Sequence, residues 1–219
     1  MGPARTQGDP LAPRRRERVI LITGPSGAGK SRLSARLSEV HGWPVIRLDD
    51  FYRGLDDPDL PRSPLGIVDW DHVDSWHADA AVAALRELVD TGQVDVPVYD
   101  IATSSVVGSH RVSARCADPV LAEGLFAARL VEPLRTEGLL ADVLCVRRNR
   151  WLTFALRLGR DLAERRKPPH ILLRRGMALL RAEPAVVAQA VAHGARPVTP
   201  REAESALAMR GDPARHTPA

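Results

Sequence analysis

The chain has 219 residues, 44% of them hydrophobic and 26% charged, with a formal net charge of +4. That length suits one domain with a buried sheet between two helical layers. No apolar run approaches the roughly 18 residues of a membrane span, and Cys116 and Cys145 are too few and too far apart for a disulfide framework or a C-x-x-C metal site.

Met1 to Pro13 is polar and rich in Pro and Gly, with no apolar core of a secretory signal. Residues 1–16 read as a disordered basic leader, ending in the cluster Arg14, Arg15, Arg16 and Arg18, and 211–219 as a disordered tail. Between them, 17–210 is expected to be one domain, and a cytoplasmic location is expected. Many of the remaining cations fall between Arg147 and Arg181, which favours a concentrated phosphate site over a nucleic-acid surface.

The run Arg18-Val-Ile-Leu-Ile-Thr23 predicts a strand buried on both faces. Leu33, Leu37 and Val40 follow at helical spacing, and Pro44–Leu48 predicts a second strand that ends on Asp49-Asp50. Asp74–Val89 reads as a helix stopped at Thr91-Gly92, and Val94–Val98 with Val106–Val112 as a hairpin. Pro119–Ala122 predicts a third strand, Leu125–Arg135 a helix and Asp142–Val146 a fourth strand. Helices are expected over 151–166, 171–180, 184–192 and 201–209, with Ala195–Val198 the one candidate for a fifth strand. Strands alternating with helices imply a parallel sheet with right-handed crossovers.

Between the first strand and the first helix lies Gly24-Pro25-Ser26-Gly27-Ala28-Gly29-Lys30-Ser31, a match to G-x-x-x-x-G-K-[ST] at every fixed position. The glycines let the backbone curl so that successive N–H groups point at phosphates, and the helix N-terminus adds partial positive charge. Lys30 reaches the β- and γ-phosphates of ATP, and the Ser31 hydroxyl is a Mg²⁺ ligand. Taken alone, such a loop also suits GTPases, motors and regulators. No Asn-Lys-x-Asp guanine-reading segment is present, and the chain has no room for a second motor domain.

Further motifs carry a resemblance to the uridine kinase family of P-loop kinases, running from Val19 to about Lys167. Asp49-Asp-Phe-Tyr52 resembles its Asp-x-Phe-Tyr, whose first Asp is the base that takes the acceptor hydroxyl's proton. Asp69-Trp-Asp-His-Val-Asp-Ser-Trp76 resembles its ribose-binding Phe-Asp-His-Pro-Asp-Ala-Phe, which assigns Asp71 to the ribose hydroxyls, with Trp in place of Phe twice and Val73 in place of Pro. Pro97-Val-Tyr-Asp100 resembles its Pro-x-Tyr-Asp and puts Tyr99 at the base. The family's His five residues later is Ser104 here; the readings are that an insertion brings His110 to the base or that base recognition has changed. Glu123-Gly-Leu125 resembles its Glu-Gly-(Ile/Leu), which gives Glu123 the acidic Walker-B role beside Mg²⁺.

Arg157-Leu-Gly-Arg160-Asp161 resembles the family's lid helix. Arg157 and Arg160, three apart, share a helix face; Arg157 is assigned to substrate, Arg160 to the charge of the transferring phosphoryl group, and Arg165 and Lys167 to phosphate. The resemblance implies a three-layer α/β/α P-loop kinase fold with a small hairpin substrate region and a helical lid. Its cofactors are ATP and Mg²⁺, the metal held by Ser31, Asp49 and Glu123. The expected reaction phosphorylates the 5′-hydroxyl of a uridine- or cytidine-like nucleoside. The rivals are a kinase of a phosphosugar or pantothenate-like alcohol and an ATP-binding regulator without turnover; retention of both Asp49 and Arg160 argues against the regulator, since binding needs neither. The helices after Lys167 match no motif and read either as core or as a dimer surface, so a homo-oligomer stays open.

Overall fold

The computed structural model describes residues 16–63, 66–163 and 169–209. Strand β1 (Val19–Thr23) is the spine: all five residues are buried, as a β-branched run with no polar alternation requires. Parallel strands flank it on both sides. With β2 (Val45–Arg47), β5 (Val120–Glu123), β6 (Leu140–Val146) and β7 (Arg196–Val198), the sheet order is β2-β5-β1-β6-β7, and every adjacent pair is parallel.

Alternation along β1 divides the interior in two. Ile20 and Ile22 face a core closed by Leu33 and Leu37 of α1 (Lys30–His41) and by Ala203 and Leu207 of α6 (Pro200–Ala208). Val19 and Leu21 face a larger core closed by Leu85 and Leu88 of α2 (Ala78–Thr91), Leu134 of α3 (Val131–Thr136) and Ala190 of α5 (Pro169–Ala192). These are the three expected layers. A separate antiparallel pair, β3 (Gln93–Asp100) and β4 (Ser105–Ser113), rests on the larger core through Val94, Val96 and Val112. Helix α4 (Arg150–Ala163) packs on α5, where Gly176 leaves room for Phe154: a Cβ there would lie 2.7 Å from the ring.

Several expected boundaries move. The second strand stops at Arg47, and Leu48–Phe51 forms a 3₁₀ turn, so Asp49 and Asp50 are turn residues and not strand neighbours. The helix expected from Asp74 begins at Ala78, after a separate 3₁₀ turn at Val73–Ser75. The helix expected over Leu125–Arg135 is a 3₁₀ turn, Ala127–Leu130, followed by the short α3. The two helices expected over 171–180 and 184–192 are one, α5, with Pro184 inside it. A proline inside a helix costs about 3 kcal/mol; burial of Leu172, Leu180 and Ala190 along α5 offsets that cost. Val40, expected on the inner stripe of α1, is exposed. The expected leader (1–16, apart from Arg16) and tail (211–219) lie outside the described residues.

Arg18 is no part of a solvated basic cluster. Its guanidinium is buried and donates to three carbonyl oxygens, those of Val89 in the last turn of α2 and of Arg115 and Asp118 before β5. It ties the start of β1 to the ends of two neighbouring segments. Burial lowers its pKa, opposed by the charges of Cys116 and Asp118. Truncation removes the charged donor from all three carbonyls, and hydrogen bonds to a charged donor contribute about 1.5–3 kcal/mol. Arg18→Ala is therefore expected to lose about 3 kcal/mol in urea unfolding while the folded fraction keeps the wild-type affinity for ATP.

Candidate active site

The phosphate loop leaves β1 and enters α1 through glycines whose φ values are positive at Gly24, Gly27 and Gly29. Gly24 has a second reason to lack a side chain: a Cβ would sit 2.2 Å from the Val146 carbonyl oxygen, so the loop is pressed against the end of β6. The Lys30 ammonium folds back into the loop and donates to the carbonyls of Gly24 (2.8 Å) and Pro25 (3.2 Å). That keeps a nearly buried cation hydrogen-bonded at the mouth of the loop.

Glu123 ends β5, the strand beside β1, and is 4% exposed. Burial pushes its carboxyl above the ordinary glutamate range; a hydrogen bond from the Ser31 hydroxyl and the charge of Lys30 pull the other way, and Asp49 adds to the upward push. These effects place Ser31, Lys30, Glu123 and Asp49 in one neighbourhood at the C-terminal edge of the sheet, where open α/β sheets hold ligands. Asp49 Oδ1 accepts from the Leu125 amide at 3.2 Å. Gly124 makes the approach feasible, since a Cβ there would fall 2.8 Å from the Leu48 Cβ and 3.0 Å from Asp49 Oδ1.

Asp50 turns the other way. It is 4% exposed; its Oδ1 accepts from the Tyr99 amide at 3.3 Å and its Oδ2 lies 3.8 Å from Arg47 Nε. Burial raises its pKa, countered by Arg47, the Tyr99 amide and His110. Asp50 thus fastens the hairpin to the turn that carries Asp49.

Opposite the carboxylates stands an aromatic wall. Tyr52 packs against Trp70 (6.0 Å between centroids), Tyr99 (5.8 Å) and Phe126 (6.0 Å), and Trp76 packs behind Phe126 (5.7 Å). Burial raises the pKa of the Tyr52 hydroxyl, helped by the negative charges of Asp49 and Asp71, which brings Asp71 to the same cleft. Asp71 is exposed, with its amide donating to Asp69 Oδ1 at 3.1 Å. Tyr99 Oη donates to the Arg53 carbonyl at 3.1 Å.

Ser104 lies in the hairpin turn with φ of +51° and lines a hollow of about 350 Å³ with Leu55, Asp56, Thr103 and Ser105. His110 pairs with Val96 further down the hairpin, near Asp50, with its side chain exposed. Arg157 and Arg160 belong to α4, but their side chains lie outside what the structure describes, as do residues Arg165 and Lys167 altogether. Tyr52, Trp70 and Phe126 were not among the expected site residues. Tyr52 and Trp70 fall inside quoted motifs, whereas Phe126 carries no signal beyond following Glu123-Gly124-Leu125.

Among the described residues no three of His, Cys, Asp and Glu are grouped to hold a metal ion by themselves. Mg²⁺ needs no such cage, because it binds through substrate phosphates and one or two carboxylates while keeping several waters. The Ser31 hydroxyl against a buried Glu123 is an all-oxygen donor set of that kind.

The upward push on the Glu123 carboxyl has a sign that stability measurements read. An acid whose folded pKa lies above its unfolded value destabilises the fold once ionised, so the penalty is full above the folded pKa and vanishes below the unfolded value near 4.5. In the ligand-free protein, Glu123→Gln is expected to raise the melting temperature at about pH 8. The gain should shrink as pH falls toward the unfolded value. A gain that is flat with pH, or a loss at alkaline pH, means that Lys30 and Ser31 already compensate the charge.

Comparison with known proteins gives the family of the chain. The phosphoribulokinase / uridine kinase family profile covers residues 19–169, well over half of the chain. The chain is 30% identical to the uridine kinase of Leuconostoc citreum over 152 residues, 67% of this chain and 70% of that protein. It is 26% identical to uridine-cytidine kinase 2-B of Danio rerio over 117 residues, which is 49% of this chain and 44% of that protein. With several curated relatives the chain thus shares less than half of their length, down to 22% of the uridine kinase of Saccharomyces cerevisiae. Among solved structures, a putative fructose transport system kinase from Silicibacter sp. TM1040 superposes with a TM-score of 0.58 at 17% identity, over 87% of this chain and 90% of that one, a likeness of fold. By the extent of the profile match and the motifs it contains, the chain belongs to the phosphoribulokinase / uridine kinase family.

Proposed function

We propose that this protein is a kinase that transfers the γ-phosphate of ATP to the 5′-hydroxyl of a uridine- or cytidine-like nucleoside. The observation that carries the reading is the meeting of Asp49 with Lys30, Ser31 and Glu123 at one sheet edge, facing the wall of Tyr52, Tyr99 and Phe126 and the Asp71 carboxylate. The loop amides and Lys30 hold the polyphosphate, with Arg165 and Lys167 as further contacts. Asp71 receives the ribose diol, and Tyr99 and Arg157 contact the remainder of the nucleoside.

Asp49 takes the proton of the acceptor hydroxyl as its oxygen bonds to the γ-phosphorus and the bond to the β-phosphate oxygen breaks. ADP leaves, and the proton passes from Asp49 to solvent. Arg160, carried by the lid, neutralises the equatorial oxygens while they are most charged. Magnesium would be held by Ser31, Glu123 and Asp49 and would supply positive charge to the polyphosphate.

A second reading has its own observation. Ser104 stands in the hairpin turn where the family carries a histidine, so the acceptor is a different small alcohol if His110 does not serve the base. Coupled ADP release with uridine, cytidine, other nucleosides and sugar alcohols separates the readings. Turnover confined to nucleosides supports the first; turnover confined to sugar or pantothenate-like alcohols replaces it.

The base is tested directly. Losing a positioned general base costs about 10²–10⁴-fold in rate. Asp49→Asn is expected to lose kcat in that range, with ATP affinity within a few-fold, because the amide oxygen still accepts from Leu125. Asp50→Asn should keep most activity, because its amide oxygen still accepts from Tyr99. Wild-type kcat in both variants rejects the mechanism.

A further inference from the structure

Three residues, Arg147 to Asn149, join β6 to α4 and run beside the phosphate loop. A Cβ built on Gly29 would lie 3.4 Å from Arg148 Nη2, 3.5 Å from Nε and 3.7 Å from Cζ. The guanidinium therefore lies beside the last glycine before Lys30, where a side chain on that glycine would meet it. Its Nε is buried and has no hydrogen-bond partner among the described residues. Among the described residues, no carboxylate pairs with it.

A buried charged donor without an acceptor is costly, and native structures rarely keep one without a use for it. The neighbourhood says what that use is. The N-terminus of α1 and the Lys30 ammonium stand at the same loop, so the group that completes the site is anionic and oxygen-rich. Arginine suits it, because a planar guanidinium can donate to one phosphate oxygen through Nε and to a second through a terminal nitrogen.

We propose that Arg148 is a second phosphate-binding cation of the nucleotide site, its Nε–H donating to an oxygen of the polyphosphate of a nucleoside di- or triphosphate held in the loop. The assignment rests on the reading of Gly24–Ser31 as a nucleotide site, and adds to Lys30 a cation supplied by the approach to the lid helix.

The test is the binding of ATP, ADP, inorganic pyrophosphate and adenosine, by calorimetry, to the wild type, Arg148→Met, Arg148→Lys and Lys30→Ala. Loss of one charge-assisted contact corresponds to roughly 10–100-fold in affinity. Arg148→Met is expected to weaken ATP, ADP and pyrophosphate by that factor and leave adenosine unchanged, with Arg148→Lys in between. Without ligand, Arg148→Met should melt at or above the wild-type temperature, since it removes a donor that has no partner.

Wild-type affinity of Arg148→Met for pyrophosphate, in a protein where Lys30→Ala loses it, overturns the proposal and leaves the loop assignment standing. An equal loss for adenosine also overturns it, as that places Arg148 at the nucleoside. So does a collapse of the ligand-free fold, which makes Arg148 structural. A wild type that binds none of the polyphosphates removes the nucleotide site itself.

Discussion

Lys30 and Glu123 are held almost wholly out of water at the C-terminal edge of the sheet, at 9% and 4% exposure, and the architecture serves that burial. Desolvating a charge is expensive unless hydrogen bonds and an opposite charge answer it. Here the loop carbonyls of Gly24 and Pro25 answer the ammonium, and Ser31 and Lys30 itself partly answer the carboxylate. The stabilisation that offsets the remainder comes from β1 and its neighbours, whose apolar side chains fill two cores at once. A strand buried on both faces fixes the loop that follows it more tightly than a strand with one wet face would.

The turn after β2 separates two adjacent aspartates into different tasks. In a 3₁₀ turn, successive side chains fan around the axis by about a third of a turn, so Asp49 can face the phosphate loop while Asp50 enters the protein. Trp76 holds the turn from behind, its Nε1 donating to the Leu48 carbonyl at 2.6 Å. Asp50 then binds the Tyr99 amide, so the wall that faces the cleft and the carboxylate within it share one mount.

What the sequence made legible was whatever depends on local pattern. The buried run of β1, the glycine spacing of the loop and the turn between β3 and β4 each follow from neighbouring residues, and their positions agree with the structure within a residue or two. The second strand, expected to run through Leu48 and end on Asp49-Asp50, stops at Arg47, because the chain turns into the 3₁₀ segment Leu48–Phe51. Pro184 reads locally as a helix breaker; the packing that overrides it involves side chains distant in sequence. Arg18 looked like one more basic residue after Arg16, since its carbonyl partners lie about 70 to 100 residues away. The aromatic wall was illegible for the same reason: Tyr52, Trp70, Tyr99 and Phe126 come from four separate segments.

The join between β6 and α4 is three residues long. Asn149 caps the helix, with Oδ1 accepting from the amides of Trp151 and Leu152, so α4 begins two residues beyond the arginine that lies beside Gly29. Farther along, Phe154 lodges against Gly176, which joins α4 to α5. The inner end of α5 is anchored in turn by Ala190, in the larger core. A helix capped at its root by Asn149 and packed along its side on α5 is set in place from both, and its first turn stands close to the loop that follows β1.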